Sequence, residues 1–318
     1  RPASGSASWL LVLDDAGSSR DRLVAFRFAA AELPDRVLKI QPAPAPGLGR
    51  EAEGLARLSR ELPPPLAATL PEVVAHETVE DLDVLALSAL PGTSGYVVAR
   101  SAGLVRAAGQ LDAAGRWLAA FQAAARRPDL LPLPGWADLT SSGPAAAELA
   151  GAPPAWYRNL GRWLTGPSLP AVAAHGDFWP RNLLLPDRPG APPSVVDWEA
   201  WSEAASPLGD LFHFPLALGQ VARIGQVAPV AGGGSVPPLA AFRATFVDPT
   251  PLARRVARYA ATVAAGLGLP EKCLAPLFRL YLLQGARGEL PVPAPFDDPP
   301  ACLAAYHLVE RFGCVFSG

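Results

Sequence analysis

The sequence contains no methionine, and of its 27 basic residues only Lys39 and Lys272 are lysines. Cysteine is scarce as well: Cys273, Cys302 and Cys314 are scattered without the paired spacing of a metal site. An odd count, with no charged-then-apolar leader at the start, predicts reduced thiols in a cytoplasmic protein rather than a disulfide-stapled secreted one. No run approaches the roughly 18 uninterrupted apolar residues of a membrane span, so no membrane partner is expected. An excess of one charge is lacking too. The formal net charge of −2 gives no electrostatic case for binding nucleic acid or an anionic surface. With arginine at position 1 and no methionine, the natural start is expected upstream.

What is present is a chain of 318 residues, long enough for one large domain or two lobes with ample core. Arginine in place of lysine, with 37 prolines and abundant alanine, looks like GC-rich coding, so a retained lysine invites a reason. The most informative stretch runs from Ala174 to Leu185 and reads His175-Gly176-Asp177-Phe178-Trp179-Pro180-Arg181-Asn182 before three leucines. Val195-Val196-Asp197-Trp198-Glu199 follows shortly after. Leu183–Leu185 and Ser194–Val196 are short β-prone runs divided by Asp187-Arg188-Pro189-Gly190, a turn signal. A hairpin there brings Asn182 close to Asp197, with Asp177 on the incoming loop. Two carboxylates and an amide oxygen converging on one point suit Mg²⁺, which takes a few hard protein oxygens together with substrate phosphates.

These residues carry a family resemblance. His-Gly-Asp, four residues, then Asn, with Asp-Trp-Glu downstream, resembles the aminoglycoside phosphotransferase and choline kinase-like family. The resemblance implies an α+β, two-lobed protein-kinase-like fold: a small antiparallel-sheet N-lobe with one helix over residues 1–90, and a larger, mainly helical C-lobe over 91–318. It implies that Asp177 orients and deprotonates an acceptor hydroxyl, and that Asn182 and Asp197 hold the Mg²⁺ bridging the phosphates of ATP or GTP.

Ser8–Leu13, Arg22–Phe28 and Arg36–Ile40 read as strands of that first lobe. A strand lysine is ordinarily a solvated edge residue. Val37-Leu38-Lys39-Ile40, however, resembles the kinase strand whose lysine contacts the α- and β-phosphates. Arg50–Leu62 is helical in pattern, and Glu51 shares its inward stripe with Leu55, Leu58 and Leu62. By the resemblance Glu51 pairs with Lys39; Glu53 is the second candidate. No Gly-x-Gly-x-x-Gly is present, and the phosphate-cradling loop is expected at Gly5, Ser6 and their neighbours rather than at Asp14–Ser19, whose aspartates repel phosphate. Leu90-Pro91-Gly92 resembles the crossing between lobes, placing adenine against the backbone of Ser88, Ala89 and Leu90.

Farther on, helices are expected at Ala108–Arg126, Trp156–Leu164, Thr250–Ala265 (closed by Gly266), Pro270–Gln284 and Ala301–Phe312, with a surface insertion at Asp129–Pro154. Phe121-Gln122 departs from the family's Leu-His. Asp210 is read as a helix cap or a brace for the metal loop, His213 as a packed residue, and 226–238 as a mobile loop over the acceptor. After Asp210 the carboxylates are few: Asp248, Glu271, Glu289, Asp297, Asp298 and Glu310. A polycation needs several, so a neutral or mildly polar small-molecule hydroxyl is expected rather than an aminoglycoside. Two other readings stay open: a Ser/Thr kinase acting on a peptide with a partner protein, and a pseudokinase scaffold.

Overall fold

The computed structural model describes residues 7–14, 22–29, 32–141, 149, 151–164, 168–188, 190–224, 238–288 and 299–317. The chain opens with strands β1 (Ser8–Asp14), β2 (Arg22–Phe28) and β3 (Arg36–Pro42), then helix α1 (Pro46–Glu61), then β4 (Val73–Val79) and β5 (Leu82–Ser88). These five strands form one antiparallel sheet in the order β1-β2-β3-β5-β4. Lys39 therefore lies on a central strand, paired with Val24 on one side and Leu85 on the other. That placement explains its burial and removes the solvated-edge reading. Helix α1 packs on the sheet through Leu48, Leu55 and Leu58, all essentially buried. Glu51 sits on the same stripe and is buried too, whereas Glu53 faces solvent.

After β6 (Thr93–Ser94) the chain becomes mainly helical around α2 (Gly95–Ala124), the long central helix. It begins well before the expected Ala108. Strand β7 (Arg126–Pro132) pairs with β8 (Ser168–Ala174), which pairs in turn with β11 (Ser202–Ala205). The expected surface insertion is thus partly structural. Trp136 and Leu139 are buried, and Trp136 packs edge-on to Trp156 of α3 (Ala155–Trp163). The hairpin of β9 (Leu183–Leu185) and β10 (Ser194–Val195) forms as expected, with Val195 opposite Leu183.

The longer helices that follow among the described residues are α4 (Leu208–Ile224), α5 (Pro251–Leu267), α6 (Leu274–Ala286) and α7 (Pro299–Phe312). Gly268, not Gly266, closes α5, in the left-handed conformation at φ 71° that glycine adopts without steric cost. Gly266 is needed for packing instead: a Cβ there would stand 3.0 Å from the Ala119 carbonyl of α2. All three cysteines are free thiols and buried. Among the described residues no helix is long and apolar enough to cross a membrane. The expected phosphate loop at Gly5 and Ser6, the alternative at residues 15–19, and nearly all of the expected acceptor loop at 226–238 lie outside the described residues.

Candidate active site

The hairpin and the two segments flanking it build the site. Trp117, Phe121, Phe178 and Trp198 form an aromatic floor, with Trp117 stacked on Phe178 at 5.5 Å and Phe121 edge-on to Trp198 at 5.5 Å. Phe178 is therefore a core residue anchoring the loop from below. Beside Phe121, Gln122 is buried, and neither of its amide atoms has a hydrogen-bond partner among the described residues.

His175 rests on this floor, 4.5 Å from the Trp198 ring. Its Nδ1 accepts from the Asp177 backbone N–H at 3.2 Å, so its Nε2 carries the proton and donates to the Val196 carbonyl at 3.0 Å. Burial pushes its pKa down, consistent with a neutral ring. His175 thus ties the two strands of the motif together and holds the loop's backbone. Gly176 follows at φ 81°, where a Cβ would lie 2.2 Å from the Ala200 carbonyl oxygen; only glycine fits. Asp210, in the first turn of α4, braces the same loop: its carboxylate accepts from the backbone N–H of His175 at 2.7 Å and of Gly176 at 3.0 Å.

Asp177 and Asn182 are joined directly. The Asn182 amide nitrogen donates to the Asp177 carbonyl at 2.9 Å and to its Oδ2 at 3.0 Å, which leaves the amide oxygen of Asn182 for another partner. Burial raises the pKa of Asp177, and the nearby Asp197 charge adds to that, against the hydrogen bonds from Asn182 and the Trp179 side chain. A raised carboxylate is the stronger base.

The second cluster is centred on Lys39. Its ammonium donates to Glu51 Oε2 at 2.6 Å, Asp197 Oδ1 at 2.5 Å and Glu199 Oε1 at 3.4 Å. Burial alone would lower its pKa, but Asp197, Glu51 and Glu199 together raise it. Glu51 feels burial most, which lifts its pKa against the pull of Lys39; its other oxygen accepts from the Trp198 backbone N–H at 3.1 Å. For Asp197 burial pushes upward, and Lys39 and Arg22 outweigh it, holding the carboxyl below its ordinary range. Asp197 also adopts a left-handed backbone at φ 66°, which costs a non-glycine residue about 1–2 kcal/mol and suits a residue whose aim matters more than its comfort.

Three residues of the site had no role in the sequence reading. Arg22, on β2, pairs with Glu199 and lies 3.8 Å from Asp197. Glu199 stands in the motif itself, two residues beyond Asp197, a signal that could have found it. His213 is buried with Nε2 3.6 Å from Asp177 Oδ1, and its place three residues after Asp210 on one helix face was the available clue.

At the expected adenine contact, Ser88 is the last residue of β5. The Ser88 N–H is taken by the Glu72 carbonyl and the Ala89 N–H by the Asp35 carbonyl.

Asn182 and Asp197 supply hard oxygens of the kind Mg²⁺ takes. The Asp197 carboxylate also groups with those of Glu51 and Glu199, ligand atoms all within 4.8 Å of one another, around the Lys39 ammonium that is their present counter-ion. The arrangement as a whole brings together a carboxylate with a raised pKa, a hydrogen-bonded amide and a lysine paired with three carboxylates.

Comparison with known proteins gives the same direction. Among curated proteins no match is found. Solved structures that it resembles include aminoglycoside phosphotransferase APH(3'')-Id from Streptomyces rimosus, at 16% identity over 89% of this chain and 92% of that one, with a TM-score of 0.45. Spectinomycin phosphotransferase APH(9)-Ia, in complex with ADP and spectinomycin, matches at 10% identity over 96% of this chain and 88% of that one, TM-score 0.40. Aminoglycoside-3'-phosphotransferase of type VIII matches at 17% identity over 96% and 93%, TM-score 0.39. The assignment rests instead on the family model described as the phosphotransferase enzyme family, which matches residues 17–204, more than half of the chain, including β2 and the whole stretch from His175 to Glu199. The chain belongs to the phosphotransferase enzyme family.

Proposed function

We propose that the protein transfers the γ-phosphate of ATP or GTP to a hydroxyl of a neutral or mildly polar small molecule. The observation that carries this reading is the Lys39 ammonium clasped between Glu51 and Asp197, the latter 158 residues away in sequence, beside the hydrogen-bonded Asp177–Asn182 pair. Lys39, held by Glu51, binds the α- and β-phosphates. Asn182 and Asp197 would hold Mg²⁺, which when bound offsets phosphate charge. Asp177 takes the hydroxyl proton as the acceptor oxygen forms its bond to the γ-phosphorus; the bond from that phosphorus to the bridging oxygen breaks, and its electron pair leaves with the nucleoside diphosphate. Most of the acceleration comes from positioning and charge stabilisation. The adenine or guanine base lies against Ser88, Ala89 and Leu90, at a lobe boundary set between residues 90 and 91. Because the N–H groups of Ser88 and Ala89 are already engaged, their carbonyls and the backbone of Leu90 are the contacts left for it.

Among the described carboxylates after Asp210, two are taken up in ion pairs, which supports a neutral acceptor, while Glu271 is exposed at the start of a short helical turn. Asp248 pairs with Arg243 at 3.0 Å and Glu310 with Arg279 at 2.5 Å, so neither is held in reserve for a polycation. Glu289, Asp297 and Asp298 lie outside the described residues.

Thermal unfolding with ATP or GTP, each with and without Mg²⁺, tests the reading. A nucleotide at about a hundred times its dissociation constant adds about 2.7 kcal/mol of stability. The expected result is a Mg²⁺-dependent shift that Asp197→Ala abolishes; no shift with either nucleotide overturns the proposal.

A further inference from the structure

Two residues on one face of α4 reach the catalytic loop, and they reach different parts of it. Asp210 takes the backbone N–H groups of His175 and Gly176, while His213, one turn on, faces the Asp177 side chain. The two carboxylate oxygens of Asp177 are thereby distinguished. Oδ2 accepts from Asn182 at 3.0 Å; Oδ1 looks toward His213 Nε2 at 3.6 Å. Exposure separates the two residues further. The His213 side chain is 4% exposed and that of Asp177 40%, so the imidazole lies on the core side of the carboxylate and the acceptor arrives from the solvent side.

We propose that His213 is a positioning residue for Asp177: its imidazole donates from Nε2 to Oδ1 and fixes the plane of the carboxylate. This rests on the phosphotransfer reading, in which Asp177 receives the hydroxyl proton. A carboxylate not held at both oxygens can swing about its Cβ–Cγ bond, and a base misplaced by about 1 Å loses about 100-fold in rate. Asn182 and the Trp179 side chain hold Asp177 in part, and His213 faces the Oδ1 side. The separation of 3.6 Å exceeds a hydrogen bond by a few tenths of an ångström, and such contacts in ligand-free enzymes commonly tighten as the reacting complex forms. His213 lies on the buried side of the Asp177 carboxylate, a place suited to positioning the base rather than to being it. Its helix explains the geometry: residues three apart share a face, and Asp210 fixes that face against the loop.

The test uses the full chain with Mg·ATP and Mg·GTP as probes, following slow nucleotide hydrolysis in which water takes the acceptor's place. Asp177→Asn is the reference: it should abolish turnover and keep the nucleotide-dependent thermal shift. His213→Leu, which fills the core but donates nothing, should lower kcat about 100-fold with KM for the nucleotide unchanged. His213→Gln, whose amide can donate from near the Nε2 position, should recover most of that loss. If His213→Leu leaves kcat within twofold of the unsubstituted protein, or if the Leu and Gln variants are equally impaired, the residue only packs and the inference fails. If Asp177→Asn hydrolyses nucleotide normally, or the unsubstituted protein neither binds nor turns over either one, the phosphotransfer reading fails and this inference with it. Should His213→Leu not fold, His213→Gln and His213→Asn decide the question, because only Gln reaches Oδ1.

Discussion

Replacing Glu51 by alanine is the sharpest test of how the site is held together. Glu51 is fully buried and makes two separable contacts: Oε2 to the Lys39 ammonium at 2.6 Å, and Oε1 to the Trp198 backbone N–H at 3.1 Å. Its removal leaves the Trp198 N–H, against a fully buried indole, without that acceptor, at a cost of about 1–3 kcal/mol. Breaking a buried ion pair by deleting one partner costs about 3–5 kcal/mol where the survivor is stranded. Lys39 is not stranded, because Asp197 remains at 2.5 Å and Glu199 at 3.4 Å. The two effects together therefore come to about 3–5 kcal/mol, a large share of the 5–15 kcal/mol of an ordinary domain but short of all of it. Urea denaturation at neutral pH should show that loss for Glu51→Ala. Glu51→Gln should fall between it and the parent, since the amide oxygen can still accept from Trp198 while the amide nitrogen opposes the ammonium. A loss below about 1 kcal/mol for the alanine variant, or identical losses for the two, would refute the claim that Glu51 joins helix α1 to the Asp197 segment.

Gly176→Ala places a Cβ against the Ala200 carbonyl in a left-handed backbone, so it should lower stability by about 2 kcal/mol or more and remove the nucleotide-dependent thermal shift; a variant that melts like the parent contradicts the loop geometry. Burial lifts the Asp210 carboxyl to about 6 from an ordinary 3.8, against two backbone N–H donors that favour its ionised form. The sign follows directly. A folded-state pKa above the unfolded one contributes stability that is fully present below about pH 4 and is lost as pH rises through about 6. The stability of the parent relative to Asp210→Asn should therefore fall by about 3 kcal/mol across that window, as read by denaturation at several pH values, and a flat difference would show that Asp210 titrates normally.

The parts of the site that were legible in the sequence are those whose signals are local. The β9–β10 hairpin announces itself by short apolar runs around a Pro-Gly turn, and Glu51 by its place on a leucine stripe of period 3.6. The parts that were not legible depend on distant chain meeting. Strand β8 is a continuous apolar run whose partners, β7 and β11, lie far on either side of it, and nothing in Ser202–Ala205 marks a strand. Residues 95–107 of α2 lack a clean apolar stripe, so the helix was expected to begin at Ala108. The Arg22 contact to Glu199 spans 177 residues and leaves no trace in either neighbourhood. His213 was read as core, and it is buried; what the hydropathy of α4 could not tell is that its polar edge faces the loop rather than another helix.

The Lys39 cluster holds two cations, Lys39 and Arg22, among three carboxylates, Glu51, Asp197 and Glu199. The charges satisfy one another, and against the upward push of burial Lys39 and Arg22 hold the Asp197 carboxyl below its ordinary range. In the proposed reaction both residues have other duties, Lys39 to phosphate and Asp197 to the metal. Nucleotide binding must then be an exchange, in which the 2.5 Å Lys39–Asp197 contact opens while the Lys39–Glu51 contact persists. Glu51 is suited to the constant role because it is fully buried and anchored to the Trp198 backbone; Asp197, with a third of its side chain exposed, is suited to the exchanged one. The same reasoning assigns Arg22 and Glu199 to holding the cleft's charges in balance until phosphate arrives. Asp197→Asn, which weakens the resting grip on Lys39 and the metal site together, should therefore lose Mg²⁺ dependence without losing all affinity for nucleotide, because the lysine it frees still meets the phosphates.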